Sequence, residues 1–224
     1  MSKPTIGFIG LGLMGAAMVN RLIDQGYSLT LMANRSRDAI DAAVARGATE
    51  VSTARELAAA SDIVMLCIDT SANVEARMRG EDGIIAGLNK GATVIDFGTS
   101  LPASTRALGA EVAAVGGAYL DAPLGRTPAH AVDGLLNIMA AGDEAAFENV
   151  KPVLEDLGEN VFHLGALGSG HTIKLMNNFF GMTVANAMAE VFAMADVAGV
   201  DRGKVYDVIA AGPLHSGMMG FVKA

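Results

Sequence analysis

Tryptophan is absent from the 224 residues, cysteine occurs once, and basic clusters and long uninterrupted apolar runs are lacking. Each shortage removes a class of protein. The single thiol, Cys67, has no partner for an internal disulfide, which suits a reducing, cytoplasmic setting. Asp plus Glu outnumber Lys plus Arg by 24 to 16, for a net charge of −8, so neither nucleic acid nor an anionic membrane surface is an expected partner. Before Leu175 no stretch of about 18 residues is both apolar and free of helix-interrupting glycine, and the one that follows opens on Asn177 and Asn178 and carries Glu190, so no membrane span is expected. His130, His163, His171 and His215 show no metal-binding spacing, and one cysteine is too few for a zinc cluster, so no metal is expected.

What is plentiful is glycine, 27 residues, within a chain that is 51% hydrophobic. That composition fits a tightly packed α/β interior, and the length suits one large domain or one and a half. The first 18 residues have the look of a secretory leader, Lys3 being followed by apolar residues and a Gly-Ala-Ala step. Glycines break that stretch, however, and Asn20, Arg21 and Asp24 follow as a polar helix face.

The glycines that break it carry the strongest signal. A β-type run, Thr5 to Ile9, leads into Gly10-Leu11-Gly12-Leu13-Met14-Gly15, with a helix expected from Ala16 to Asp24 and a second strand after Gly26. Gly10 permits a tight turn out of the strand, Gly12 lacks the Cβ that would block a pyrophosphate, and Gly15 lets the helix pack close to the strand. Free N–H groups at the helix start then face the anion, so residues 10–15 are expected to bind a dinucleotide.

Apolar strands alternate with helices through the first two-thirds: Thr5 to Ile9, Ser28 to Met32, Asp62 to Ile68 and Ala92 to Phe97, separated by helices of about 10 to 15 residues. That alternation predicts a parallel sheet covered on both faces. A helix from Pro102 to Val115, strands over Ala118 to Pro123 and Leu135 to Ala140, a helix from Asp143 to Leu157 and a short strand near Val161 complete the unit. Gly165, Gly168 and Gly170 mark a break. From His171 to about Val197 only Gly181 interrupts a helix that is apolar on nearly every side and would run roughly 40 Å. One more helix, Arg202 to Ala211, and a short tail are expected to follow. They are too little to cover the long helix, which calls for a further subunit or for chain beyond Ala224.

Three clusters bear chemistry. Just past the second strand, Asn34-Arg35-Ser36 supplies no carboxylate for the ribose hydroxyls of NAD. Arg35 with Ser36 suits the 2′-phosphate of NADP, so NADP is favoured and NAD remains possible; a solvated turn is the plainer alternative. In Gly168-Ser-Gly-His171-Thr-Ile-Lys174-Leu-Met-Asn177-Asn178, Lys174 and Asn178 are four apart and would share a helix face just after a glycine turn. An ammonium desolvated in an apolar cleft loses proton affinity and becomes a usable general acid, while Asn178 can hold both the lysine and a substrate oxygen; Asn177 is a further substrate-binding candidate. Helix packing alone would also account for these residues, and His171 is expected to cap the helix or lie on the surface. Third, Gly125-Arg126-Thr127 ends a strand, where the arginine's planar fork and the threonine hydroxyl suit a carboxylate, sulfonate or phosphate, or else a solvated loop.

Taken in this order, GFIGLGLMG, Asp96-x-x-Thr99, DAP at 121–123 and GSGHTIKLMNN at 168–178 resemble the β-hydroxyacid dehydrogenase family, which includes 3-hydroxyisobutyrate dehydrogenases and tartronate semialdehyde reductases. The similarity runs from Ile6 to about Gly220. The resemblance implies a doubly wound Rossmann-type NAD(P)-binding domain over residues 1–164 and an all-α substrate and oligomerisation domain from 165, incomplete at Ala224, with the active site between them. It further implies that Lys174 is the general acid or base, that Asn178 orients the substrate, that Thr99 lies by the nicotinamide ribose, and that Cys67, Ile68 and Asp69 border the cofactor.

Most members carry Ser-Gly-Gly after DAP, whereas the stretch GRTPAHAVDG looks like the variant in sulfolactaldehyde reductase, an enzyme that also reduces succinic semialdehyde. The expected activity is therefore NADPH-dependent reduction of a small anionic aldehyde, reversible to the hydroxy acid, in a homodimer or homotetramer. Hydroxyisobutyrate or tartronate semialdehyde chemistry is the near alternative, and a non-catalytic dinucleotide-binding protein is the alternative of another class.

Overall fold

The computed structural model describes residues 3–33 and 37–223, with side chains described as far as Gly220. It divides into two compact units, residues 1–174 and 175–224.

The first unit is built on a sheet of six strands: β1 (Ile6–Ile9), β2 (Leu29–Met32), β3 (Thr49–Val51), β4 (Ile63–Leu66), β5 (Thr93–Asp96) and β6 (Ala118–Asp121). All pairs are parallel and the spatial order is β3-β2-β1-β4-β5-β6, the doubly wound, Rossmann-type arrangement. Crossovers are made by α1 (Leu13–Asp24), α2 (Asp38–Ala45), α3 (Ala54–Ala59), α4 (Ser71–Met78), α5 (Ile84–Gly87) and α6 (Pro102–Ala114).

Alternate residues of the central strands serve opposite faces, as the period of two requires. Ile6, Phe8, Ile63, Met65 and Ile95 pack with Met18 and Leu22 of α1, whereas Ile9, Val64, Leu66 and Val94 pack with Leu57 of α3 and Leu108 of α6. Burial on both faces explains why β1, β4 and β5 read as apolar runs rather than as alternating patterns.

Several crossover helices are shorter than expected. α3 has 6 residues and α5 has 4, and the single long helix expected before β5 is split into α4 and α5. Glycine causes the split. Gly80 takes φ +88, and a Cβ on Gly83 would stand 2.3 Å from the Arg79 carbonyl oxygen, so the chain turns sharply there. The edge strand β3, only three residues long and mostly exposed, was not anticipated.

Beyond β6 the chain forms β7 (Leu124–Gly125), α7 (Pro128–Val132), β8 (Leu136–Ala140), α8 (Glu144–Leu157) and β9 (Gly158–His163). β7 runs antiparallel and β9 parallel to β8, and an Asp121–Ala141 bridge ties this small sheet to the end of β6. Asp143 caps α8 by accepting the Ala146 N–H, and Phe147, Val150, Val153, Leu154 and Leu157 turn its apolar face into the core.

α9 (Ser169–Ala198) runs for 30 residues, passing through Gly181 without a break. In the second unit it is joined by α10 (Arg202–Ala210) and α11 (Gly217–Lys223). α11 replaces the short tail expected from sequence: its glycines are poor helix formers, but Met219 is buried with Met188 and Phe192, and that contact overrides propensity. Among the described residues no helix is long and apolar enough to cross a membrane.

Candidate active site

Sheet order reverses between β1 and β4, and a crevice opens there at the carboxyl ends of the strands. A cavity of about 570 Å³ occupies it, lined by Gly10, Leu11 and Gly12 from the β1–α1 turn and by Cys67, Ile68 and Asp69 from the end of β4. Met32, Ile40, Asn73 and Arg77 also line it. Six of the cofactor candidates named from sequence therefore share one cavity.

The glycines act as their spacing predicts. Gly10 has φ +104, and a Cβ there would stand 2.2 Å from the Cys67 carbonyl oxygen; one on Gly15 would stand 1.9 Å from the Gly10 carbonyl oxygen. The turn closes only because both are bare. A Cβ on Gly12 would meet nothing within 4 Å, and this open side belongs to a residue that lines the cavity. α1 begins there with no side-chain cap and no acid in its first turn, leaving its N–H groups to an anion. These residues fit a dinucleotide. Leu13 is exposed at the helix start, while Met14 packs toward the core.

Asp69 accepts from Asn73 Nδ2 at 2.8 Å, which ties the β4 loop to α4. Burial, helped by the charge of Asp96, pushes the Cys67 thiol up to about 11, so it lines the cavity as a neutral, inert group. Asn34, Arg35 and Ser36 lie outside the described residues. Thr99 is exposed on the turn after β5, a turn tied down by Asp96, whose carboxylate accepts the Gly98 N–H at 2.9 Å and the Ser100 hydroxyl at 2.8 Å.

The register pairs Leu66 with Asp96 and Asp96 with Asp121, so the DAP segment leaves the sheet at its carboxyl end, the end at which the cavity also lies. From there Leu124 offers its carbonyl oxygen to Lys174 Nζ at 2.6 Å. Lys174 is half-buried, and burial lowers its proton affinity below the ordinary lysine value.

His171 does not lie on the surface and does not cap the helix with its side chain. It is fully buried between Asp96 and Asp121, with Nδ1 2.7 Å from Thr105 Oγ1 and Nε2 without a hydrogen-bond partner. The capping group is Asp121, whose two oxygens accept the N–H groups of Gly168 and His171 at 2.8 and 2.7 Å. No local spacing joins residue 121 to 168 or 171, so sequence reasoning missed this contact. The only hint was an acid at a strand end and a glycine turn with nothing else to cap it.

In the Gly125-Arg126-Thr127 loop, Gly125 pairs with Asn137 in the small sheet. Arg126 holds φ +77, unusual for a side chain of its size. Its Nη1 donates to the Leu135 carbonyl at 2.6 Å and to Glu159 Oε2 at 2.5 Å, so the expected anion receptor already grips a carboxylate of its own chain. Thr127 Oγ1 meets His130 Nδ1 at 2.7 Å. Asn177 and Asn178 lie in the second unit, where they line a separate cavity of about 500 Å³ with Phe180, Met182, Ser216 and Met218.

Comparison with known proteins gives this architecture a class. Residues 5–165 match the family model described as the NAD binding domain of 6-phosphogluconate dehydrogenase, and residues 168–223 match that described as NAD-binding of NADP-dependent 3-hydroxyisobutyrate dehydrogenase. The chain is thus an NAD(P)-dependent oxidoreductase with a Rossmann-type fold. It is 36% identical to the 2-hydroxy-3-oxopropionate reductase of Escherichia coli (strain K12) over 207 residues, 92% of this chain and 70% of that protein. It is 35% identical to the NAD-dependent L-serine dehydrogenase of Pseudomonas aeruginosa, covering 91% of this chain and 68% of the relative. A solved structure of Mycobacterium tuberculosis 3-hydroxyisobutyrate dehydrogenase with L-serine superposes with a TM-score of 0.89 at 28% identity, covering 97% of this chain and 73% of that one. The chain belongs to the β-hydroxyacid dehydrogenase family.

Proposed function

We propose that the protein is an NADPH-preferring reductase of a small aldehyde that carries an acidic group, with Lys174 as the proton donor. The observation that carries this reading is the Lys174 ammonium, half-buried, reduced in proton affinity and held at 2.6 Å on the carbonyl of Leu124, three residues past the carboxyl end of β6. When bound, the nicotinamide supplies hydride to the carbonyl carbon. As the carbonyl electron pair moves onto oxygen, Lys174 passes its proton there and is left as a neutral amine, yielding the alcohol; in the reverse direction the neutral amine takes that proton back. The interaction strengthens as charge builds on oxygen, so it favours the transition state over the bound aldehyde. Although Asn177 and Asn178 line the cavity of the second unit, the family resemblance supports assigning Asn178, four residues beyond Lys174 on α9, to orienting the substrate, Asn177 to a polar contact with it and Thr99 to the nicotinamide ribose.

NADPH preference is supported by the sequence after β2, which has Arg35 and Ser36 and no acid of the kind that selects NAD, and by Arg77 on the cavity wall. Domain division is proposed as a dinucleotide-binding part over 1–164 and a helical substrate and subunit-contact part from 165. The near alternative is the 2-hydroxy-3-oxopropionate or hydroxyisobutyrate chemistry of the relatives. It is favoured by the engagement of Arg126 with Glu159, which leaves substrate recognition to Gly125, Thr127 and the backbone. Assaying short semialdehydes that end in carboxylate or sulfonate, with NADPH and NADH, tests both readings. The leading one requires the longer anionic aldehydes to be reduced with higher kcat/KM than 2-hydroxy-3-oxopropionate, and NADPH to outperform NADH.

A further inference from the structure

Four consecutive residues, Asp121-Ala-Pro-Leu124, hold the first turns of α9 at two points. Both oxygens of the fully buried Asp121 carboxylate accept N–H groups at the start of that helix, from Gly168 and His171. Three residues later the Leu124 carbonyl accepts the Lys174 ammonium. Pro123 stiffens the strap between them and is itself pinned, since its carbonyl accepts the Met139 N–H at 3.0 Å. There is no slack at the first point: a Cβ on Gly170 would stand 2.2 Å from the Met139 carbonyl oxygen and 2.9 Å from Asp121 Oδ2. The side chain of His171 fills the space beneath, against Thr105, with Asp96 Oδ2 3.7 Å from its Nε2.

We infer that Asp121 is a positioning residue for the reaction: by clasping the N–H groups of Gly168 and His171 it fixes the height of the first turns of α9, and so where Lys174 presents its proton. A carboxylate suits this task better than any neutral group. It accepts two charge-assisted bonds at once and also faces the positive end of a 30-residue helix. An amide of the same shape accepts one N–H but turns its own NH₂ toward the other, so the helix start must shift or lose a bond. A displacement of that kind, remote from the reacting atoms, damages the proton transfer step more than substrate binding.

This inference rests on Lys174 being the proton donor, and the test separates the two ideas. Asp121→Asn is compared with the unaltered chain for kcat, KM, NADPH affinity and the rate at which Lys174 is acylated by a small anhydride at fixed pH, read by peptide mass spectrometry. The expected result is a fall in kcat on the order of 100-fold, with KM and NADPH affinity within about threefold and a changed Lys174 labelling rate. Thr105→Val, which removes the hydroxyl that touches His171 and also donates to the Leu101 carbonyl, is the milder companion should Asp121→Asn fail to fold, and it is expected to lower kcat a few-fold in the same pattern. Folded variants with unaltered kcat and unaltered Lys174 labelling overturn the positioning role. If Lys174→Ala keeps its kcat while Asp121→Asn still changes the labelling rate, the proton-donor reading fails and the clasp stands.

Discussion

At the scale of single residues, Lys174 carries the sharpest expectation. Replacing it with alanine should cut kcat by about 10² to 10⁴, the usual worth of a positioned acid, while KM moves little. Equal losses in kcat and in aldehyde affinity would instead mark a binding residue. Direction of reaction supplies a second check through pH. Burial lowers the amine's proton affinity from the ordinary 10.5, and reduction needs the charged form. Reduction should therefore decline as pH rises, starting below the range in which an exposed lysine titrates, while oxidation of the hydroxy acid, which needs the neutral amine, rises over the same window. Arg126 is a contest between two carboxylates. If the substrate's acidic group must displace Glu159, Glu159→Gln should lower KM for an anionic aldehyde several-fold. Arg126→Ala should remove about 2 to 3 kcal/mol from its kcat/KM. Neither variant changing the kinetics would leave Arg126 as a loop tie and favour the substrates named for the relatives.

At the scale of elements, two glycines three residues apart should behave oppositely. Gly12 faces open space, so Gly12→Val is expected to keep the melting temperature and lose dinucleotide affinity, as read by fluorescence titration with NADPH. Gly15 faces the Gly10 carbonyl at a distance no methyl can share, so Gly15→Ala should cost about 1 to 3 kcal/mol of stability, several degrees in a thermal melt. If Gly12→Val binds NADPH normally, the cavity is not the cofactor site. This loop was fully legible in sequence because strand, turn and helix follow one another directly, and the physics that fixes it is local. Central strands were legible for a related reason: burial on both faces makes them continuous apolar runs. The edge strand β3, with exposed Thr49 and Glu50, carries no such mark. The Asp121 contact with Gly168 and His171, and the Arg126 contact with Glu159, were illegible because each joins residues far apart in the chain, and no periodicity records a pairing of that kind.

At the scale of the whole molecule, the second unit exposes several large apolar residues on its longest helix. Its own core is small, Met188, Phe192 and Met219 with a few partly buried neighbours. Along α9, Phe179, Phe180 and Met182 are each at least 68% exposed, and Met176 and Met194 of the same helix are exposed as well. Scattered apolar residues are ordinary on a protein surface, but several large ones on one helix mark a contact area. Covering a phenylalanine contributes about 1.5 to 3 kcal/mol, so Phe179 and Phe180 of each copy offset a useful part of the cost of association. We propose a homodimer or homotetramer joined through this helix, further chain beyond Ala224 being the alternative cover; light scattering coupled to size exclusion measures the assembly directly. Phe179→Asp combined with Phe180→Asp places two charges on that face and should shift the population toward monomer. Because the glycine-loop cavity belongs wholly to the first unit, NADPH affinity should survive the same change. A double variant that remains fully assembled would remove α9 from the subunit contact, and one that also lost NADPH would show that assembly and cofactor binding are coupled.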